Sequence, residues 1–423
     1  MNKEMAEILV RSGPGTPMGR LMRRYCVPVL LSSEIAVADG PQVRVKILGE
    51  RLLAFRDSKG RFGLIDEFCA HRGTSLFFGR NEECGIRCSY HGWKYDLTGQ
   101  CVELPAQPNL ARRMKIKAYP CIERGGIVWA YMGLPVQQPE APGVEWILLP
   151  ESHRFVSKRL QESNYLQAME GGIDTTHASW VHRYELDTDP MHKHAVANKY
   201  IKADRNAVFD IEETPSGLTI YGRRLGEEDS YYWRITQWIF PWFTLIPPFG
   251  PHPLGGHIWV PIDDENCWAW SINFYPNKPL MAEERAAMEE GKGIHVKCIP
   301  DTFRPVANRS NDYLIDRQAQ RDKRMFSGVD GFSMQDASLQ ESMGAIQDHA
   351  RENLVSTDKA IAMARRMLFN AARNPDDNAV LPGLSSASQH VRSASVLLER
   401  GMNISSWAKG ALRADPAQPV FSV

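Results

Sequence analysis

The sequence has no excess of either charge, with 50 lysines and arginines against 50 aspartates and glutamates among 423 residues. This balance argues against bulk nucleic-acid binding and against anionic membrane surfaces, while a local basic patch stays open. A long hydrophobic run is also lacking. The most apolar stretch, residues 238–249, contains three prolines and is too short to span a bilayer. We therefore expect neither a nucleic-acid partner nor a membrane-spanning segment.

The N-terminus lacks the features of a secretory signal, because residues 1–15 have no long apolar core and no small-residue cleavage site. Cysteine is scarce, with eight in the chain. In a reducing compartment such cysteines are free thiols or metal ligands, so we expect a cytoplasmic protein without a disulfide framework. No G-x-G-x-x-G precedes a predicted helix, which argues against a nicotinamide or flavin site in this chain.

The patterns that are present divide the chain into four parts. Residues 1–42 hold a weakly amphipathic helix and a proline-containing segment, which we expect to pack on the domain formed by residues 151–423. Residues 43–135 alternate short β-rich runs with glycine-containing turns, which predicts a small antiparallel β domain. Residues 136–150 belong to a proline-containing stretch that indicates a linker.

The C-terminal domain mixes helical and strand patterns. Residues 163–182 look helical before the pattern loosens, and residues 217–225 and 231–240 predict a hairpin around a polar GEEDS. Two helices are predicted within residues 337–374, with Ser356 or Thr357 capping the second and Pro375 ending it. The last 48 residues look weakly ordered.

The strongest local signal is a pair of loops, CAHRG and CSYHGW. Cys69 and His71 form C-x-H in the first loop, and Cys88 and His91 form C-x-x-H in the second. Thiolates suit iron–sulfur clusters and zinc, whereas imidazole suits zinc, copper and iron. A structural zinc site is one interpretation, but zinc sites usually pair two cysteines in one knuckle and two histidines in another. Here each loop mixes the two ligand types.

These loops resemble the Rieske [2Fe–2S] family, in which two cysteines hold one iron and two histidines hold the other. The ligand types, the spacing and the neighbouring Arg72, Gly73, Gly92 and Trp93 agree with that pattern. Respiratory-chain Rieske proteins carry a disulfide-forming cysteine after each loop, and this sequence has none there. The resemblance therefore implies an oxygenase-type [2Fe–2S] cluster of lower reduction potential, held by Cys69, His71, Cys88 and His91.

A second set of metal-binding residue types lies in the segment EGGIDTTHASWVH, as Asp174, His177 and His182. Residues three apart, such as Asp174 and His177, share one face of a helix. His177 and His182 are five apart, so the helix should distort or end here if both bind one metal. Two histidines and a carboxylate form the facial triad of non-haem iron oxygenases. Alone this pattern is weak, since such histidines are more often surface or core residues.

Together the two patterns resemble the α subunit of Rieske non-haem iron aromatic-ring oxygenases, over most of the chain. The resemblance implies one mononuclear non-haem Fe(II) bound by His177 and His182. It also makes Asp174 a bridge from this site to a Rieske histidine of the neighbouring subunit, with His91 as that partner. The resemblance therefore implies that the other three hundred or so residues, outside the Rieske domain, contain the iron site that uses the electrons of the cluster.

The resemblance alone selects the third iron ligand. In the family this ligand is an aspartate near the start of a late helix, followed five residues on by glutamate. The segment MQDASLQESMG fits, with Asp336 and Glu341, and Asp348 is the alternative. Asp336 could also be an aspartate that only interacts with the dipole at a helix N-terminus.

A closer resemblance, to phthalate dioxygenase and its relatives, is carried by PGTPMGRLMRRYCVPVLL, LFFGRNEECGIRCSYHGWKYD, EGGIDTTH and QESMG. These proteins act on benzoate-type acids and include some aryl-ether O-demethylases. The resemblance implies an α+β fold, with a small antiparallel β Rieske domain and a helix-grip catalytic domain of curved antiparallel sheet and helices. It also implies a homotrimer, alone or stacked. Many other branches have Glu-Asn where this chain has Glu170-Gly171, so their pocket residues are not transferred.

An aromatic acid requires an apolar slot and a cation, and arginine suits a carboxylate better than lysine does. On the predicted strand YYWRITQWIF, Arg234 shares one face with Tyr232, Thr236, Trp238 and Phe240. We therefore expect Arg234 to bind the substrate carboxylate. Arg223 and Arg224 on the facing strand are alternatives, and each arginine could instead stack on aromatic rings or pair with a glutamate.

The resemblance implies a terminal oxygenase for the breakdown of aromatic compounds. It would use O₂ and electrons from a separate NADH-dependent reductase, with flavin and iron–sulfur centres, to cis-dihydroxylate a phthalate- or benzoate-type acid. Monooxygenation, such as O-demethylation of a methoxybenzoate, would use the same iron site. Two further alternatives are an electron carrier without mononuclear iron and a structural zinc protein.

Overall fold

The computed structural model describes residues 1–373 and 379–423, and the chain divides into two compact units. The smaller unit is Ser12–Ala141, and the larger unit combines Met1–Arg11 with Pro142–Val423. These bounds differ from the expected ones. Residues 12–42 lie with the smaller unit, because a strand at Cys26–Leu31 pairs with Ile127–Tyr131.

The helices and strands follow one another as a helical start, a run of short strands, and then long strands mixed with helices. The helices are α1 (Lys3–Val10), α2 (Pro17–Met22), α3 (Glu145–Leu148), α4 (Tyr165–Ile173), α5 (Ala197–Ala203), α6 (Ala282–Glu289), α7 (Arg317–Arg321), α8 (Phe332–Ser342), α9 (Lys359–Arg373) and α10 (Ile404–Ala411). The strands are β1 (Cys26–Leu31), β2 (Val43–Ile47), β3 (Glu50–Arg56), β4 (Phe62–Asp66), β5 (Arg80–Glu82), β6 (Gly85–Arg87), β7 (Lys94–Tyr95), β8 (Cys101–Glu103), β9 (Ala118–Tyr119), β10 (Cys121–Arg124), β11 (Ile127–Tyr131), β12 (Arg154–Gln161), β13 (Val208–Thr214), β14 (Gly217–Leu225), β15 (Ser230–Ile239), β16 (Phe243–Ile246), β17 (Leu254–Pro261), β18 (Cys267–Phe274) and β19 (Ala394–Glu399).

The smaller unit consists of three small antiparallel sheets, in the orders β1-β11-β10, β2-β3-β4-β9 and β5-β6-β7-β8. The β-rich runs of the sequence form β2, β3, β4 and β11, as predicted. The core contains Phe55, Ile65 and Tyr95, and it also contains two of the predicted ligands, Cys69 and Cys88. The cluster motif is therefore built on the hydrophobic core of this unit.

The larger unit is built on an eight-stranded antiparallel sheet, in the order β12-β18-β17-β16-β15-β14-β13, with β19 also pairing to β15. The predicted hairpin is confirmed by β14 and β15, in which Gly222 lies opposite Arg234. Side chains alternate along a strand and paired residues share a face. The register therefore puts Arg159, His257 and Arg234 on one face of the sheet. Together the two units confirm the α+β fold.

Helix α4 lies against this face, where the indole nitrogen of Trp238 is 3.3 Å from Met169 Sδ. The Asn164 side chain caps its start and accepts a hydrogen bond from the Leu166 amide. The helix ends at Ile173, nine residues before the predicted end at His182. Asp174 has an extended backbone, and His177 begins a separate 3₁₀ turn. The spacing predicted that Asp174 and His177 would share one face of a helix. This prediction is wrong, because the helix ends before both residues.

Two other predictions need correction. The expected linker is partly structured, because α3 belongs to the larger unit and Glu145 forms an ion pair with Arg392. The C-terminal residues, predicted to be weakly ordered, contain strand β19 and helix α10. A single strand whose partner lies about 160 residues earlier has no local signal. The predicted helix end at Pro375 lies outside the described residues.

Candidate metal centres and substrate pocket

The two loops of the cluster motif have the same backbone design. In each loop the glycine four residues after the cysteine donates its amide to that cysteine's carbonyl, Gly73 to Cys69 at 2.9 Å and Gly92 to Cys88 at 3.0 Å. Both glycines have a positive φ, of 73° and 76°, which other residues rarely adopt. The motif glycines thus allow each loop to turn back over its own cysteine.

These turns place the four predicted cluster ligands in two layers. Cys69 and Cys88 are buried, whereas His71 and His91 are exposed, with their Nδ1 atoms 3.2 Å apart. The Tyr95 hydroxyl accepts the Ala70 amide at 3.1 Å, so its own hydrogen is available to Cys69 Sγ at 3.3 Å. Two buried thiols and two exposed imidazoles are the ligand set that a Rieske cluster needs.

The second set of predicted ligands meets in the larger unit. One ligand atom from each of His177, His182 and Asp336 lies within 4.8 Å of the others. Nε2 of His182 is 3.2 Å from Asp336 Oδ1, and Nε2 of His177 is 3.6 Å from it. The 3₁₀ turn after α4 begins with His177, His182 follows that turn, and α8 supplies the aspartate. The chemistry of this set, two imidazoles and a carboxylate, fits a mononuclear non-haem iron.

Electrostatics couple these residues strongly. Burial acts to raise the pKa of Asp336, but the neighbouring His182 and His177 outweigh it and lower that pKa to about 2. Burial acts to lower the pKa of His177, but Asp336 and Asp174 raise it to about 9. The pKa of Asp174 is lowered, because His177 outweighs the effect of burial. Both carboxylates are therefore ionised at neutral pH, as metal coordination and the orienting of a histidine require.

Further contacts orient the two histidines. Gln335 donates its amide nitrogen to the Val329 carbonyl at 3.0 Å, which leaves its Oε1 to accept from His182 Nδ1 at 2.7 Å. His182 Nε2 is then the nitrogen that faces Asp336. On the other histidine, Nδ1 of His177 lies 3.6 Å from Asp174 Oδ2. Sequence reasoning missed Gln335, whose only signal is its place directly before Asp336.

The other predicted carboxylates lie elsewhere. Glu341 accepts hydrogen bonds from the Tyr313 hydroxyl at 2.6 Å and from the Glu162 amide at 3.0 Å. Asp348, the alternative ligand, accepts from the Ala350 amide at 3.1 Å and is not part of the cluster of three. The structure thus places Asp336 beside the two histidines. Neither Glu341 nor Asp348 lies there.

A cavity adjoins this triad, and all three of its residues line it. Its apolar walls include Phe249, Trp259, Ile246 and Phe332. Arg234 lines it and is buried, with its guanidinium carbon 4.4 Å from the centre of the Phe249 ring. The alternatives do not line it: Arg223 lies over the Tyr231 ring, and Arg224 donates to the backbone carbonyls of Asp204 and Thr175.

Three more polar residues of the cavity had no signal in the sequence. Arg159 is buried, and desolvation lowers its pKa. His257 donates from Nδ1 to the Trp270 carbonyl at 3.1 Å, and burial lowers its pKa to about 4, so it is neutral at pH 7. His192 is held by Asp189, at 3.0 Å between Nδ1 and Oδ1, and stacks on Phe332. Arg159 comes from β12, His257 from β17 and His192 from the loop that follows His182.

Family comparisons agree with the two centres. Residues 26–120 match the Rieske [2Fe–2S] domain family, and residues 130–403 match the family described as LigXa C-terminal domain like. The chain is therefore built from a Rieske domain and a catalytic domain of the kind that binds one mononuclear iron. Among the described residues, no helix is long and apolar enough to cross a membrane.

Comparisons with individual proteins agree with these family matches. The oxygenase subunit of 3-chlorobenzoate-3,4-dioxygenase from Comamonas testosteroni is 36% identical, over 91% of this chain and 92% of its own. The oxygenase subunit of phthalate 4,5-dioxygenase from Pseudomonas putida is 35% identical, over 86% and 84%. Oxygenase subunits of an O-demethylase and a monooxygenase are also similar. The fold is shared with dicamba monooxygenase bound to 3,6-dichlorosalicylic acid, at a TM-score of 0.57 and 16% identity, covering 83% of this chain and 97% of that one.

The chain belongs to the Rieske non-haem iron oxygenases, as an α subunit with relatives in the phthalate dioxygenase branch. Its cofactors are a Rieske [2Fe–2S] cluster and one mononuclear non-haem iron, and it is an oxidoreductase. The resemblance drawn from the motifs is thereby confirmed.

Proposed function

We propose that this chain is the terminal oxygenase that cis-dihydroxylates an aromatic carboxylate of the phthalate or benzoate type. The observation that carries the proposal is the cavity itself, in which an apolar, aromatic-walled space joins the His177–His182–Asp336 triad to the buried cation of Arg234. The names of the two dioxygenase relatives support the same substrate class.

The ligands of both cofactors belong to this proposal. Cys69, His71, Cys88 and His91 would hold the [2Fe–2S] cluster, and His177, His182 and Asp336 the mononuclear iron. When bound, these groups supply one-electron transfer and the activation of O₂. The protein contributes orientation, since Gln335 and Asp174 each face the ring nitrogen of a histidine that is turned away from Asp336.

Substrate binding is assigned to Arg234 and the apolar walls. A buried guanidinium binds a carboxylate more strongly than an exposed one, because water competes less for its hydrogen bonds. Two of its nitrogens lie 3.4 Å from acceptors, Thr175 Oγ1 and the Pro247 carbonyl, and Nη1 has no partner among the described residues. The guanidinium can therefore accept a carboxylate without breaking an existing ion pair.

Electron supply and assembly are also proposals. An NADH-dependent reductase with flavin and iron–sulfur centres would deliver the electrons, which is consistent with relatives that are described as oxygenase subunits. We propose a homotrimer, alone or stacked, in which Asp174 bridges to His91 of a neighbouring subunit. Asp174→Asn should then keep both metals and lose most coupled turnover. Normal product formation by this variant would contradict the role.

Single turnover tests the reaction. The chemically reduced protein is given ¹⁸O₂ and a panel of phthalates, substituted benzoates and methoxybenzoates, and products are read by mass spectrometry. A product with two labelled oxygens and two additional hydrogens establishes dihydroxylation and identifies the acid. Absence of product from every acid, with about three irons per chain, would overturn the substrate class.

The second candidate is a monooxygenase, such as an O-demethylase of a methoxybenzoate. The observation in its favour is the similarity to the oxygenase subunit of an O-demethylase. The same single-turnover experiment separates the two, because demethylation releases formaldehyde and leaves a phenol.

A further inference from the structure

Arg159 is a buried cation with little to neutralise it. It lies on β12 with 5% of its surface exposed, and among the described residues its guanidinium donates one hydrogen bond, from Nη2 to the Ser333 carbonyl at 3.5 Å. Its Nε and Nη1 have no hydrogen-bond partner within the described part of the chain. Burying a guanidinium costs several kcal/mol unless a partner restores its hydrogen bonds. Such a group therefore suggests a ligand.

The position of Arg159 indicates what the ligand is. It lines the same cavity as Arg234 and the triad. The nearest carboxylates, Glu341 and Asp336, act on it only through space, without an ion pair to either. Glu341 is bound to Tyr313 and to a backbone amide, and Asp336 faces the histidines. The space beside Arg159 is thus open to an anion that arrives with the substrate.

The two arginines stand on separate parts of the cavity. Strands β12 and β15 are divided by β18, β17 and β16, which separates their backbones by about 19 Å in a flat sheet and by less in a curved one. Arg234 contacts Phe249 and Thr175, whereas Arg159 lies near Ser333 and Asp336. One carboxylate is too small to reach both guanidinium groups across such a space.

We propose that Arg159 is a second anion-binding residue, and that the cavity takes an aromatic compound with two anionic groups held apart on the ring. Arg234 binds one group and Arg159 binds the other. This proposal rests on the proposed function and narrows its substrate. The carboxylates of a 1,3- or 1,4-dicarboxylate have this separation. Those of a 1,2-dicarboxylate are adjacent, and benzoate has a single carboxylate.

The test is calorimetric titration of the holoenzyme, oxidised and without reductase, with benzoate and the three benzenedicarboxylates. The wild type should bind the 1,3- or the 1,4-isomer at least about tenfold more tightly than benzoate, since a charge-assisted hydrogen bond is worth about 1.5–3 kcal/mol. Arg159→Gln should abolish this preference, because the affinity for the separated dicarboxylate falls to about that for benzoate. Arg159→Lys, which keeps the charge, should retain part of it.

Lys158 provides the matched control. It precedes Arg159 on the same strand, points to the other face, and lies 4.2 Å from the centre of the Phe303 ring. Lys158→Gln removes the same charge outside the cavity and should keep the preference. Iron content and thermal unfolding establish that each variant is folded.

The outcomes separate this proposal from the proposed function. If the wild type binds benzoate and both separated dicarboxylates with equal affinity, the proposed role of Arg159 is wrong. This result needs no variant and so does not depend on whether the variant folds. An unchanged preference in Arg159→Gln also overturns that role. Dihydroxylation of benzoate in either case would leave the proposed function standing. Absence of binding by every acid overturns both.

Discussion

The two metal centres are built in opposite ways. In the smaller unit each cluster loop is closed by its own backbone, with a glycine amide bonded to the carbonyl of the cysteine four residues earlier. In the larger unit the proposed ligands come from distant segments, since Asp336 lies on α8 and the histidines follow α4. The first centre is a property of two short loops, whereas the second depends on how the whole unit packs.

Close packing between helices and sheet sets up the second centre. A Cβ added to Gly171 would lie 2.0 Å from Gln340 Nε2 on α8, and one added to Gly172 would lie 2.2 Å from the Trp259 ring on β17. At Gly172 the absence of a side chain allows the end of α4 to approach the Trp259 ring of the sheet, whereas at Gly171 the contact is with the end of a side chain on α8. These glycines position the histidines from outside the ligand set.

The largest expected effect comes from removing one ligand at each centre. His182→Ala should lose the mononuclear iron and reduce product formation by at least about 10³-fold, because catalysis requires the metal. The visible spectrum of the cluster should remain. Cys69→Ser should do the reverse and remove the cluster spectrum while keeping mononuclear iron. Iron analysis with spectroscopy checks both, and loss of both centres in either variant would contradict their independence.

A smaller effect is expected at Gln335, which holds His182 in the correct tautomer. Gln335→Leu should weaken iron binding about 10- to 100-fold, as is usual for residues that orient metal-bound histidines. The control is Ser338→Ala on the same helix, whose hydroxyl donates to the Gln335 backbone carbonyl. Iron affinity is measured by competition with a chelator. Equal affinity of Gln335→Leu and Ser338→Ala would show that the Gln335 side chain does not matter.

This contrast explains which residues the sequence reveals. The cluster ligands are recognisable because their spacing and glycines lie within one short segment. Asp336 was selected only by resemblance, since 153 residues separate it from His182 and no local pattern joins them. Arg159, His192 and His257 have no signal in the sequence, and the only signal of Gln335 is its place directly before Asp336. They become polar residues of one cavity only after the sheet and the helices have formed.

The elements of the fold also divide into those with a local sequence signal and those without one. Alternating runs with a polar turn predicted the β14–β15 hairpin, because its pairing is local. The sequence predicted that the helix would distort or end if His177 and His182 bind one metal, but it did not locate the end at Ile173, because residues 174–182 have helical spacing. Strand β19 was missed because its pairing with β15, Ser395 opposite Arg234, joins segments about 160 residues apart.

A third effect compares the two loop glycines. A Cβ added to Gly73 meets nothing within 4 Å, whereas one added to Gly92 lies 3.1 Å from Pro105 Cγ. Gly73→Ala should cost about 1 kcal/mol of stability through backbone strain alone. Gly92→Ala should cost more, because the contact with Pro105 adds to the strain. The temperature at which each variant loses the cluster, followed by visible absorbance, measures both stability losses. A larger loss in Gly73→Ala than in Gly92→Ala would contradict this ranking.

The smallest effect is expected at Tyr95, where a single hydrogen bond reaches the cluster from the hydrophobic core. Hydrogen bonds to ligand sulfur stabilise the reduced, more negative cluster and raise its potential. A net hydrogen bond is worth about 0.5–1.5 kcal/mol, so Tyr95→Phe should lower the reduction potential by about 20–65 mV. Spectroscopic titration with redox mediators measures it. The matched control, Tyr119→Phe, removes a hydroxyl that bonds Glu50 instead and should leave the potential unchanged. Equal shifts in the two variants would mean that the bond to Cys69 has no special effect. A shift at Tyr95 alone would establish that even this locally built centre is tuned by a side chain outside its two loops.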